Sequence, residues 1–260
     1  MSYFSVYTLA SSSKGNSVYI RLDDDEILID AGISSKRISA ALEALGTSLS
    51  RIKAIFITHE HSDHVAGLET TAKKHGTPIH FTEPSARALL RGEKHASTAA
   101  VSVIHPLIYT ERVGALTVQS FVTSHDSAAS VGFVVTGDRP EHTVAVATDL
   151  GYVSDDVSDA LMGVKNVILE SNHDENMLLC GPYPYDLKRR ILSRCGHLSN
   201  EAASSLVSRL AASGTMRILL AHLSEENNLP ELAYHTSLCA LAGADIELSV
   251  ASPSVPTKLI

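Results

Sequence analysis

Residues 52 to 64, IKAIFITHEHSDH, carry an apolar run straight into three histidines, a glutamate and an aspartate within six positions. The apolar part reads as a buried strand. Imidazoles and carboxylates that follow such a strand out of the core must find partners, because burying them unpaired costs free energy. The fold must therefore bring the carboxyl end of this strand to a place where several polar side chains converge. A layered αβ protein does this, since it gathers functional groups at strand ends.

The surrounding pattern agrees. SVYTLA and VYIRL flank the polar loop Ser11 to Ser17, and EILIDAG follows an acidic turn at Asp23 to Asp25, which together read as a meander. SSKRISAALEALG is helical, with Ile38, Leu42 and Leu45 at helical spacing, Ser34 or Ser35 as cap and Gly46 at the end. After the histidines come a helix closed by Gly76, the strand PIHFT and the helix EPSARALLRG. From Val101 the chain turns β-rich through VSVIHPL, LTVQSFVTSH, SVGFVVTG and HTVAVATDL, which points to a second sheet. Three helical segments then alternate with VKNVILESN, MRILLAHLS and DIELSV. With no repeat or linker in view, residues 1–260 are expected to form one domain of layered sheets and helices.

Composition narrows the function classes. A formal charge of −8 argues against a broad basic surface for nonspecific nucleic-acid binding, though not against a local basic cleft. Neither an apolar membrane span nor a secretory leader is visible, so no membrane partner is expected. Cys180, Cys195 and Cys239 lack CxxC spacing and leave one cysteine unpaired in any disulfide scheme, which fits a cytoplasmic location.

Nitrogen and oxygen donors at His59, His61, Asp63 and His64 are ligands that zinc accepts, and sites without thiolates that keep an open position are catalytic. The plainer reading, a polar loop with backbone-bonded histidines, fits the spacing less well. The segment THEHSDH resembles the HxHxDH signature of the metallo-β-lactamase superfamily of metallohydrolases, and the resemblance covers nearly the whole chain. It implies an α+β fold, a four-layer αββα sandwich. It further implies two divalent metal ions, one held by His59, His61 and His125, the other by Asp63, His64 and His222, with Asp149 bridging and Asp30 of LIDAG as buttress. His105 competes with His125, which is preferred because it ends a longer alternating strand. Zn²⁺ or Mn²⁺ suits such a set, and Fe²⁺ is compatible. His75, His80, His95, His142 and His235 carry no motif and read as surface or packing residues.

Asp149 stands where the β-lactamases of this superfamily carry a cysteine, which disfavours antibiotic hydrolysis, and His61 replaces the glutamate of the diiron flavoproteins. GHLSNEAASSL resembles the segment of the tRNA 3′-processing ribonucleases whose histidine faces the scissile phosphate, and Glu170 of LESNHD resembles its partner carboxylate. SSSKGNS, LIDAG, ESNHD, GPYPYDLKRRILSRCGHLSNEAA and LAHLSEENN together resemble the YycJ/WalJ-like group of bacterial DNA exonucleases. That resemblance implies a dinuclear phosphodiesterase on nucleic acid, a 5′-to-3′ DNA exonuclease, with Asp63, His197 and Glu170 as catalytic residues. Lys188, Arg190, Arg194 and Asn200 are the candidate substrate-binding residues, with Arg190 and Arg194 expected on one helix face and the helix start beside His197 suited to a phosphate oxygen. Lys14 in the early loop could add a cation, although an ordinary turn explains that loop as well. Hydrolysis of a small ester, thioester or cyclic phosphodiester is the alternative, and a noncatalytic metal-binding regulator is a third reading. DNA versus RNA and the oligomeric state stay open at this level.

Overall fold

The computed structural model describes residues 2–91 and 93–260, with no side chains described for 93–96. The reading of His95 and the end of the helix at Gly92 therefore lie outside the described residues. Among these residues two seven-stranded sheets face each other. The first begins as the antiparallel meander β1 (Phe4–Ala10), β2 (Ser17–Leu22) and β3 (Asp25–Ile29). It continues in parallel through β4 (Ile52–Phe56), β5 (Ile79–Thr82) and β6 (Ser102–His105). Helices α1 (Ser35–Ala44), α2 (Ser62–Val65), α3 (Leu68–His75) and α4 (Glu83–Leu90) fall within its connections.

The second sheet opens antiparallel with β7 (Thr110–Val113), β8 (Leu116–Thr123) and β9 (Ser130–Thr136), to which β10 (Thr143–Ala147) adds. From β10 it runs parallel through β11 (Asn166–Glu170), β12 (Arg217–Ala221) and β13 (Glu247–Val250). Between these strands lie α5 (Asp155–Leu161), α6 (Glu175–Cys180), α7 (Tyr185–Ile191), α8 (Asn200–Ala212) and α9 (Pro230–Leu241). A last short strand, β14 (Thr257–Lys258), returns to pair with β1. VSVIHPL supplies β6, the edge of the first sheet, so the second sheet begins later than the β-rich stretch suggested; α4 makes a crossover that lets β6 pair in parallel with β5.

Alternation along the strands explains the layering. Val6, Ile20, Ile29 and Phe56 of one sheet meet Val118, Phe133, Val146 and Leu219 of the other in a dry inner layer. The opposite faces bury Leu28 and Ile55 under α1 and α3, and Val167 and Leu220 under α5 and α8. The result is the expected αββα sandwich. Helix ends follow local chemistry: Ser34 Oγ accepts from Arg37 N, Ser199 Oγ from Ala202 N, and Gly76 closes α3 at φ 65°.

Three strand ends depart from regular backbone. Asp30, Asp149 and His222 adopt φ of 62°, 60° and 57° just beyond β3, β10 and β12. A left-handed residue costs about 1–2 kcal/mol when it is not glycine, least for residues such as Asp and Asn that bond locally. Such outliers cluster where a side chain must be aimed.

Candidate metal centre

The ligands come from both sheets. β4 delivers His59, and the loop into α2 brings His61, Asp63 and His64; from the second sheet, His125 follows β8, Asp149 follows β10 and His222 follows β12. Donor atoms of His59, His61 and His125 lie within 4.8 Å of one another, and those of Asp63, His64 and His222 do the same. Asp149 lies between the trios, with Oδ2 3.2 Å from His64 Nε2, and Oδ1 3.3 Å from His222 Nε2 and 3.7 Å from His125 Nε2. The seven residues expected at the site are thus brought together.

Whether this set fits metal ions can be judged from its unused atoms. His59 Nε2 and Asp149 Oδ2 are buried without a hydrogen bond, a costly condition for polar atoms that have no other partner to wait for. Burial, with the neighbouring imidazoles, holds His59 well below the usual histidine range, so it stays neutral. Burial would raise Asp149, but His222 and His64 outweigh it and keep the carboxylate ionised. Neutral imidazoles and ionised carboxylates are the forms that ligate. The set fits divalent cations.

His105 sits elsewhere. His80 Nδ1 and His105 Nε2 are 2.9 Å apart, with ring centroids 5.1 Å apart and planes at 13°. Rings set end to end in nearly one plane at that distance share an N–H···N hydrogen bond and leave no room for an ion.

The supports are built from residues far apart in the chain. Asp30 accepts from Thr58 N at 2.9 Å, Thr58 Oγ1 at 2.9 Å and His64 Nδ1 at 2.7 Å, which turns His64 Nε2 towards Asp63, Asp149 and the Asn16 amide. Asn16 Oδ1 lies 3.2 Å from His222 Nδ1, and Ser11 Oγ accepts from His222 N at 2.8 Å. His125 Nδ1 donates to Gly196 O at 3.0 Å. Such partners fix the ring orientation and tautomer of a metal ligand. Gly32 is required by contact, since a Cβ there would lie 1.6 Å from Asp63 O. Asn16, Ser11 and Thr58 were not singled out in the sequence; the serine-rich loop was the visible signal for two of them.

His197 stands beside this centre. Its Nδ1 donates to Glu170 Oε1 at 2.7 Å, and Glu170 Oε2 accepts from Leu150 N at 2.5 Å, which locks the carboxylate. Burial disfavours a charged His197, but Glu170 overrides it and raises the pKa to about 9. Arg190 borders the cavity of about 270 Å³ that opens over the donors, where it pairs with Asp126.

The other candidate substrate residues lie differently. α7 ends at Ile191, so Arg194 is beyond it and shares no helix face with Arg190; its guanidinium lies 3.9 Å from the Tyr152 ring centroid. The Lys188 ammonium donates to the carbonyls of Leu179 and Gly181. Asn200 is buried, bonded to Ser171 and Asn228, and its own N–H donates to His173 O. The start of α8 therefore has its Asn200 and Ala202 amides occupied, by His173 O and Ser199 Oγ. Lys14 pairs with Glu225 on the surface.

The fold and this donor set define a class. The sequence matches the profile of the Beta-lactamase superfamily domain over residues 25–223, and the chain belongs to that superfamily. It is 36% identical to exodeoxyribonuclease WalJ of Streptococcus pneumoniae serotype 2, over 98% of this chain and 97% of that one. It is 35% identical to exodeoxyribonuclease YycJ of Bacillus anthracis, over 99% and 98% of the two chains. Among solved structures, Zn²⁺-bound PqqB from Methylobacterium extorquens shares the fold with a TM-score of 0.71 over 98% of this chain and 100% of that one, at 19% identity.

Proposed function

We propose that the protein is a dinuclear metal-dependent phosphodiesterase that removes nucleotides from DNA in the 5′-to-3′ direction. The observation that carries this reading is the pairing of His197 with Glu170 beside two donor trios that share Asp149. His59, His61 and His125 would hold one ion and Asp63, His64 and His222 the other, as Zn²⁺, Mn²⁺ or Fe²⁺. When bound, the ions supply Lewis acidity to the phosphoryl oxygens and a nucleophile at neutral pH.

The chain's own groups supply the rest. Asp149 carries negative charge towards both trios and would offset part of the repulsion between two bound cations. The protonated His197 gives the proton on its Nε2 to the departing sugar oxygen, and Glu170, bonded to Nδ1, keeps the ring charged until then. Arg190 meets the backbone phosphate at the cavity mouth. The names of the two relatives, both exodeoxyribonucleases matched almost end to end, support DNA as the polymer and one end as the starting point. A cytoplasmic site of action goes with this reading, supported by three free cysteines. Among the described residues no helix is long and apolar enough to cross a membrane.

The test is incubation of the purified protein, loaded with each metal in turn, on end-labelled single- and double-stranded DNA and RNA beside a thioester. Stepwise shortening of DNA from the 5′ end is the expected result. Turnover of the thioester alone would replace this reading with that of a small-ester hydrolase.

A further inference from the structure

A second cavity, about 320 Å³, opens on the far side of His197 from the donor cluster, and His197 lines both. Tyr152, Leu192, Leu198 and Leu206 form its apolar wall. His173 also lines it, 1% exposed, and neither ring nitrogen has a hydrogen-bond partner. A buried imidazole with two idle nitrogens is expensive unless something arrives to meet them.

The chemistry of the lining selects the visitor. Glu175 is on the wall, and the Arg209 guanidinium, also on it, donates to Ser158 Oγ. Burial keeps His173 below the usual histidine range, hence neutral, with one donor and one acceptor. A slot of mixed lining, with leucines, an aromatic ring and a neutral donor–acceptor pair, suits a flat heteroaromatic group with polar edges. The placement adds the rest: one side chain separates this slot from the place of phosphoryl chemistry, as a sugar separates a base from its phosphate.

We propose that the second cavity receives the nucleobase of the nucleotide joined to the scissile phosphate, with Tyr152 against the base and His173 at its edge. This rests on the reading of the centre as a DNA hydrolase. It gives the protein a contact with one base beside the cut, independent of phosphate binding, and explains how a chain end is seated before cleavage.

The experiment uses the metal-loaded full chain and three oligonucleotides: intact DNA, and the same strand with an abasic tetrahydrofuran residue at the terminal or the penultimate position. Base–aromatic stacking sets the expected effect at about 5- to 150-fold. The wild type should show that rise in KM on one abasic strand. Tyr152→Ala should show it on intact DNA, with kcat near wild type and no further loss on the abasic strands. Tyr152→Leu, checked by circular dichroism, replaces it if the alanine variant does not fold. Equal KM for all three strands in the wild type, or equal losses by the variant on every strand, would overturn the inference while leaving DNA hydrolysis intact. If the wild type degrades no DNA, the proposed function fails instead. Calorimetry with deoxyadenosine 5′-monophosphate against 2-deoxyribose 5-phosphate then decides the cavity alone: a preference for the nucleotide, lost in Tyr152→Ala, upholds it, and equal affinities overturn it.

Discussion

Replacing Asp30 with asparagine tests how the centre is held, because it leaves the ligands and the backbone untouched. Asparagine tolerates the left-handed conformation that Asp30 adopts at φ 62°, so no strain is added. What changes is the hydrogen-bond direction. The carboxylate accepts from Thr58 N, Thr58 Oγ1 and His64 Nδ1. An amide whose oxygen keeps the Thr58 N–H must turn its NH₂ towards Thr58 Oγ1 and His64 Nδ1. His64 then becomes the acceptor at Nδ1 and carries its proton on Nε2, the atom that faces Asp63 and Asp149. A protonated Nε2 cannot ligate. Loss of one charge-assisted hydrogen bond is about 1.5–3 kcal/mol, which corresponds to about tenfold to hundredfold in affinity and agrees with the usual effect of removing a ligand's supporting partner. Competition against a chromophoric chelator, titrating the apo protein with Zn²⁺ or Mn²⁺, should show one ion weakened by that factor, with the site of His59, His61 and His125 changed less. Two ions bound at wild-type affinity would refute the reasoning, since His64 would then not depend on Asp30 for its tautomer.

Asp149→Asn should lower metal content to one ion or fewer per chain and remove activity; elemental analysis showing two ions with near wild-type turnover would sink the bridging role. His197→Ala should keep its metals yet cleave DNA roughly 10²–10⁴ times more slowly, with a phosphodiester that releases p-nitrophenolate largely spared. Glu170→Gln removes the charge that raises His197 to about 9; a general acid is lost as pH rises through its pKa, so the alkaline limb of kcat should move to lower pH. Arg190→Ala should raise KM for DNA and reduce its salt dependence, while equal losses on a small phosphodiester would point to damage at the centre instead. Gly32→Ala forces a Cβ against Asp63 O and should cost about 1–3 kcal/mol or more, measured as a lower Tm together with reduced metal content.

Much of this molecule is legible in its sequence because its ligands sit at strand ends, where the change from apolar to polar is abrupt. THEHSDH, TSHD, ATDLG and LAHLS all follow such changes, and the residues they supply do converge. Sheet membership was harder. Alternation marks β6 as a strand but does not say which strand it pairs with, and that is settled by α4 crossing back over the first sheet. Partners of long polar side chains were not visible either. Arg190 and Asp126 are 64 residues apart, and Asn16 meets His222 across 206. Nothing in local spacing reports those distances, so Lys188 and Asn200 looked free in the sequence and are bonded internally in the structure. The same holds for the end of α7, where the chain turns through Gly196, whose Cβ would meet Ile191 O at 2.0 Å.

Because each cluster of donors draws on both sheets, metal affinity in this protein is partly a property of its hydrocarbon interior. Phe56 and Phe133 meet edge to face across the inner layer, with ring centroids 5.8 Å apart, the first a few residues before His59 in one sheet, the second opposite Val146 of β10, which leads to Asp149, in the other. A substitution there changes no ligand, yet it can reseat one sheet on the other and spread or compress the donors at their rim. Ion binding in turn clamps the sandwich shut. The oily contacts and the coordination chemistry are thus two ends of one lever, and selecting variants for tighter packing would also tune which ions the protein retains.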